Sequence, residues 1–171
     1  MIEGKENYRI IKGHKGLSLN VAVARSEFNK EVVDVLCDGF YAELEKRAAA
    51  DKNHPTVHVF EVCVPGALEI PYALSRIAKT EFKNDSRPGV LAGLGCVIKG
   101  ETFHFDIVSQ TSAAGIQKVS LKTKLPAVNG ILTCYTAYQA RERAQRNAAG
   151  YAEAVLWMGT MFRNGGPEKL F

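Results

Sequence analysis

Most of the signals that would put this chain in a specialised class are missing from it. Its four cysteines, Cys37, Cys63, Cys96 and Cys134, stand far apart in apolar stretches. No Cys-x-x-Cys pair or Cys/His spacing links them, which argues against a structural zinc site. They are expected as reduced, mostly buried thiols in a reducing compartment. No apolar run reaches the length of a membrane span, about 18 residues, and Met1-Ile2-Glu3-Gly4-Lys5 carries no apolar secretion core. A cytoplasmic location away from membranes is therefore expected. The net charge is only +4, and no dense Lys/Arg stripe with interleaved aromatics exists. That argues against nucleic acid, while a mild positive bias suits a small phosphorylated substrate. Internal repeats and low-complexity segments are absent too.

The 171 residues suffice for one domain with a proper core, with 1–9 and 163–171 as tails. Strand-like and helix-like segments alternate along it. Leu19 to Ala24, Thr56 to Val62, Gly89 to Ile98 and Ala127 to Thr133 are short runs rich in valine, isoleucine and leucine. Between and after them, apolar residues recur at three- and four-residue steps. The spacing predicts helices over Lys30 to Ala50, from Leu68 through Ile77, over Phe105 to Lys122 and over Ala137 to Phe162. Asn29 is placed to cap the first of these, and Pro71 is tolerable in the first turn of the second. Such alternation predicts a three-layer α/β/α sandwich around a four-stranded parallel sheet. Tyr8-Arg9-Ile10-Ile11 is an additional strand, a weak edge by itself and expected to pair with a neighbouring subunit.

In such a sheet the strand C-terminal ends share one edge, where ligands bind. That edge collects Arg25 to Asn29, Val64 to Glu69, Lys99 to His104 and the Thr133–Cys134 turn. Phe28 either stacks on a flat heterocycle or staples the start of a helix. Glu69 either answers a helix dipole or accepts ligand hydroxyls. Gly100, Glu101 and Thr102 read as a helix cap or as a phosphate cradle of amides and a hydroxyl. His104 is either a plain helix-start histidine or a group that moves protons, the task for which histidine is best suited near neutral pH. Arg143 and Arg146 lie in a charge cluster that could equally be a solvated face.

Three blocks together carry a resemblance: Val64-Pro65-Gly66-Ala67-Leu68-Glu69-Ile70-Pro71, then Leu94 through Asp106 (LGCVIKGETFHFD), then Asn129-Gly130-Ile131-Leu132-Thr133. In order and spacing, from about Ile10 to Phe162, the chain resembles the lumazine synthases of riboflavin biosynthesis. The resemblance implies a flavodoxin-like fold and a transferase. Its reaction condenses 5-amino-6-(D-ribitylamino)uracil with 3,4-dihydroxy-2-butanone 4-phosphate, and needs no metal or organic cofactor. By position, Phe28 would stack on the pyrimidine, and Ala67, Leu68 and Glu69 would hold the ribityl chain. Val97, Ile98 and Lys99 would address the pyrimidine edge, and Asn129 would close the far side of the ring. Glu101 and Thr102 would hold the phosphate, His104 would shuttle protons, and Arg143 would reach the phosphate from a neighbouring subunit. The implied partners are further copies of the chain, as a pentamer or a 60-mer of pentamers, and riboflavin synthase.

Three departures from the family pattern stand out. Ser26 and Glu27 separate Arg25 from Phe28, where the family has its aromatic residue directly after the arginine. The Gly/Lys/Asn-rich turn usual after Arg143 is shortened, and Arg146 is the candidate replacement for a basic residue lost there. Phe103 replaces a small hydroxylic residue before the histidine. Two other readings stay open at this point: a flavin- or lumazine-binding relative without turnover, and a capsid-like assembly protein.

Overall fold

Alternate residues of one strand build both cores of this protein. In β2 (Lys15–Ser26), Val21 and Val23 belong to one layer and Ala22 and Ala24 to the other, and all four are fully buried. A period of two with both faces apolar is the mark of a strand covered on both sides. The computed structural model describes residues 6–13, 15–51, 54–81 and 87–161.

Around β2 lie β1 (Glu6–Ile11), β3 (Pro55–Val64), β4 (Val90–Ile98) and β5 (Ala127–Cys134), in the order β1-β3-β2-β4-β5. The β3-β2-β4-β5 part is parallel throughout, as the alternation predicts. The helices are α1 (Lys30–Ala50), α2 (Ile70–Ile77), α3 (His104–Thr123) and α4 (Ala137–Met161). Residue 162, the expected end of the last helix, and the tail 163–171 lie outside the described residues.

One layer is α1 with α4. Ala140, Ala144, Ala148 and Ala152 make a buried stripe at four-residue steps along α4. Opposite it, a Cβ added at Gly39 would come within 2.7 Å of the Ala148 Cβ, so the two helices approach as closely as their backbones allow. Through Ala144 to Gly150 the helix continues without a break, and the shortened segment after Arg143 is simply part of one rod. The other layer is α2 with α3. There Ile70, Leu74 and Ile116 pack on the small residues Ala22 and Ala24.

β1 departs from expectation. It was expected against a neighbouring subunit, but it runs antiparallel to its own chain's β3, with Glu6 opposite Val62 and Ile11 opposite Val57. Residues 6–9, assigned to a tail from sequence, are part of this strand. Polar partners on β3 explain the pairing. Asn7 donates to Glu61 at 3.3 Å, and Tyr8 shares a hydrogen bond with His58 at 2.9 Å. Arg9 lies 4.0 Å over the Tyr41 ring, and Tyr41 itself donates to the buried Glu61 at 2.5 Å. A buried carboxylate needs such donors, and β1 supplies one of them.

Candidate active site

Strand order reverses between β2 and β4: the chain crosses from β2 outward to β3, then back past β2 to β4. In open α/β sheets a crevice forms at such a point, beyond the strand C-termini. Here it is a cleft of about 450 Å³. Phe28 stands at its β2 side, and Pro65 to Glu69 form the wall between β3 and α2. Cys96, Val97 and Ile98 form the floor, and Gly100, Thr102, His104, Phe105 and Val108 close the α3 side.

Each wall has a local cause. Ser26, an inserted loop residue by sequence pattern, is buried in β2 opposite Val64, and the Glu27 amide donates to the Val64 carbonyl at 2.8 Å. Ser26 therefore lengthens the strand, and Glu27 adds one backbone bond beyond its end before the loop turns. The Phe28 amide then donates to Pro65 O at 2.9 Å. Behind the loop, Arg25 pairs with Asp34, which also binds Lys30 at 2.8 Å. Burial pushes the Asp34 carboxyl up, but the bonds from Lys30 and Arg25 outweigh it and hold the group below its ordinary value. Phe28 is 70% exposed, so it does not staple α1 into the core; its ring borders the cleft.

Asn29 is the N-cap residue of α1, as expected, but not through its side chain. That side chain makes no capping bond; the Nδ2 donates to Cys96 O at 2.9 Å. On the opposite wall, Glu69 stands at the start of α2, also without a capping bond. Its carboxylate is exposed and has no hydrogen-bond or ion-pair partner among the described residues. The Cys96 thiol is pushed up to about 12 by burial, with the nearby Cys134 adding to the shift, so the floor is neutral and apolar.

On the α3 side the helical ladder begins where the Asp106 amide turns back to Phe103 O at 3.1 Å. The amides before it belong to a helix N-terminus, where intrahelical acceptors run out and negative charge is favoured. Glu101, Thr102 and His104 are exposed there, and His104 has no bonding partner among the described residues. An open acceptor on one wall, an anion-receptive turn on the other and an imidazole beside it suit a substrate with hydroxyls at one end and a phosphate at the other.

A family model described as 6,7-dimethyl-8-ribityllumazine synthase matches residues 18–163. The chain belongs to the 6,7-dimethyl-8-ribityllumazine synthase family. The protein of that name from Nitrosospira multiformis is 38% identical over 148 residues, covering 86% of each chain. That from Polynucleobacter necessarius is 37% identical over 147 residues, 85% of this chain and 80% of the relative. That from Verminephrobacter eiseniae is 32% identical over 146 residues, 85% of this chain and 88% of the relative.

Of the residues that the lumazine synthase pattern singles out, Phe28, Ala67, Leu68, Glu69, Val97, Ile98, Thr102 and His104 meet in the cleft. Four others do not line it. Glu101 is exposed beside Thr102. Lys99 turns its ammonium over the Tyr135 ring, 5.2 Å from the centroid. Asn129 is exposed on β5, where its Oδ1 accepts from the Ile131 amide at 3.1 Å. Arg143 is exposed on α4. Its neighbours are engaged, Arg141 with Glu31 at 3.6 Å and Arg146 with Glu142 at 3.3 Å, whereas Arg143 has no ion pair among the described residues. Sequence reading did not single out Pro65, Cys96, Phe105 or Val108, which also line the cleft. Their apolar character gave no signal distinguishing a cleft wall from core.

Proposed function

We propose that this cleft condenses 5-amino-6-(D-ribitylamino)uracil with 3,4-dihydroxy-2-butanone 4-phosphate, releasing phosphate and water and forming 6,7-dimethyl-8-ribityllumazine, the penultimate step of riboflavin biosynthesis. The observation that carries the reading is the meeting of Phe28, Glu69 and His104 around one cleft in a chain of this family. The chemistry follows from the walls. Phe28 stacks on the pyrimidine, while the backbone of Val97 and Ile98 meets its edge. Glu69 accepts the ribityl hydroxyls. The phosphate lies at the α3 N-terminus, against the amides and hydroxyl of Glu101 and Thr102.

The amine of the uracil adds to the ketone carbonyl and water leaves. Phosphate is then eliminated, and attack by the second amine on the remaining carbonyl closes the ring with loss of a second water. Each step passes a proton, and His104 is placed to take and return it beside the phosphate. The rest of the acceleration comes from holding two substrates in contact, a term worth up to about 7–11 kcal/mol.

The active unit is a pentamer, or a 60-mer of pentamers. Asn129 and Arg143 serve the cleft of a neighbouring copy, which accounts for their lying outside the cleft of their own chain. The free guanidinium of Arg143 and the exposed rings of Phe103, Tyr135 and Tyr138 fit such a contact. The assembly works in the cytoplasm, where riboflavin synthase takes up its product. No helix among the described residues is long and apolar enough to cross a membrane. The test is turnover with both substrates, followed by the absorbance of the lumazine. Product that depends on both substrates supports the reading; tight binding of the uracil with no product would replace it with a ligand-holding role.

A further inference from the structure

Beside the cleft, Asn29 adopts a backbone conformation that most side chains avoid, with φ 58° and ψ 40°. Asparagine tolerates this region better than other residues with a side chain, and the conformation here turns its amide away from α1 and across to β4. The β2–β4 ladder ends with Arg25 opposite Leu94. Beyond that point β2 no longer accompanies β4, and the Asn29 Nδ2, 2.9 Å from Cys96 O, takes the place of a strand partner. The carbonyl of the same residue accepts the first amides of α1, from Val32 at 3.0 Å and Val33 at 3.1 Å. One residue thus joins the loop, the helix and the floor of the cleft.

We infer that Asn29 is a positioning residue whose side-chain bond to Cys96 O sets the distance between the Phe28 ring and the Val97–Ile98 edge, and so governs affinity for the uracil substrate. The inference rests on the function proposed above. Phe28 is too exposed for core packing to hold its ring, so its position depends on backbone tethers. Two of these, Glu27 N to Val64 O and Phe28 N to Pro65 O, fix the loop to the β3–α2 wall. Asn29 is the tether to the opposite strand, the one that carries the pyrimidine-binding backbone. The phosphate end of the cleft, at Thr102 and His104, is untouched by it.

Two substitutions separate the bond from the backbone shape. Asn29→Asp keeps the size and the tolerance of positive φ but turns a donor into an acceptor facing a carbonyl. Asn29→Gly keeps the backbone conformation and removes the side chain. Three quantities are measured on the full-length protein: KM for each substrate, calorimetric Kd for the ribitylamino-uracil alone, and hydrogen exchange of the Glu27 and Phe28 amides. Both variants should raise Kd and KM for the uracil about 5- to 10-fold, the effect of one lost part-buried hydrogen bond, while the butanone phosphate KM stays within about twofold. Exchange at Glu27 and Phe28 should quicken in both. Wild-type affinity and exchange in Asn29→Gly would overturn the inference, since backbone shape alone would then suffice; so would an equal rise in both KM values. If the parent protein binds the uracil but forms no lumazine, the proposed turnover falls, and the Kd and exchange comparisons still decide the role of Asn29. If the parent does not bind the uracil, both readings fall.

Discussion

The two helical layers of this protein differ in how much of themselves they use. α1 buries nine of its 21 residues, from Val32 to Ala48, and meets α4 along an unbroken alanine stripe. α3 is nearly as long at 20 residues but buries three, Val108, Ser112 and Ile116, leaving Ile107 and Leu121 exposed. The α1/α4 layer buries more of itself within one chain, although Tyr138 and Trp157 of α4 stay exposed. The α2/α3 layer forms two walls of the cleft and leaves Tyr72, Ile107 and Leu121 exposed to solvent. On the proposed function, stability is drawn mainly from one side of the sheet and chemistry from the other, and substitutions should separate them.

The largest effect is expected in the α1/α4 layer. Phe40 is fully buried there, and Phe40→Ala should cost about 3–5 kcal/mol of stability, read from thermal or denaturant unfolding. Both KM values should stay unchanged at temperatures where the variant is folded; a change would mean that the layers are not independent. In the other layer His104→Ala should reverse the pattern, lowering kcat about 10²-fold or more with an unchanged unfolding midpoint, since the side chain is exposed and unpaired. Wild-type turnover would remove His104 from the chemistry.

Arg143 lies on the stable layer yet is assigned to a neighbour's cleft, so it tests the boundary. Arg143→Ala should raise KM for the butanone phosphate about 10-fold and leave that for the uracil nearly unchanged, as loss of one charge-assisted phosphate contact would. Equal shifts would make it an interface residue only.

The smallest effect is a pH dependence. Burial pushes the Cys37 thiol up to about 12 from an ordinary 9.0, outweighing the opposing pull of Arg25. The folded state therefore keeps this proton more tightly than the unfolded chain. Its contribution is fully present below about pH 9 and is lost as pH rises toward 12, about 1 kcal/mol by pH 9.5. Cys37→Ala should flatten the alkaline slope of unfolding stability, and an unchanged slope would assign the loss to other groups.

Much of this arrangement is legible in the sequence, for definite reasons. β4 and β5 are apolar runs with β-branched residues, bounded by turn residues, and their edges fall within a residue of those expected. α1 and α3 show their period, and Pro71 sits in the first turn of α2, where its missing amide costs nothing. The histidine, the glutamate and the aromatic ring of the cleft were all readable from loops that follow strands. What local patterns could not supply was the choice among partners. Asn29 has a helix to cap beside it and a carbonyl of β4 within reach, and only the folded chain shows that the distant acceptor wins. β1 could join any free edge; Glu61 and His58, more than 45 positions away, decide for β3. Lys99 has an aromatic partner in Tyr135 that becomes a neighbour only when β5 lies beside β4.

Order in the sheet is also order in time. β1 lies at the edge of the sheet and pairs there with β3, Ile11 opposite Val57 and Glu6 opposite Val62, far along the chain. Long-range closures of this kind are slow, because chain entropy is lost before any contact repays it. β1 is accordingly expected to be the first strand on its side to be released by a native-state fluctuation. Amide protons from Asn7 to Ile11 should exchange well ahead of those from Val21 to Ala24, which no opening short of global unfolding exposes.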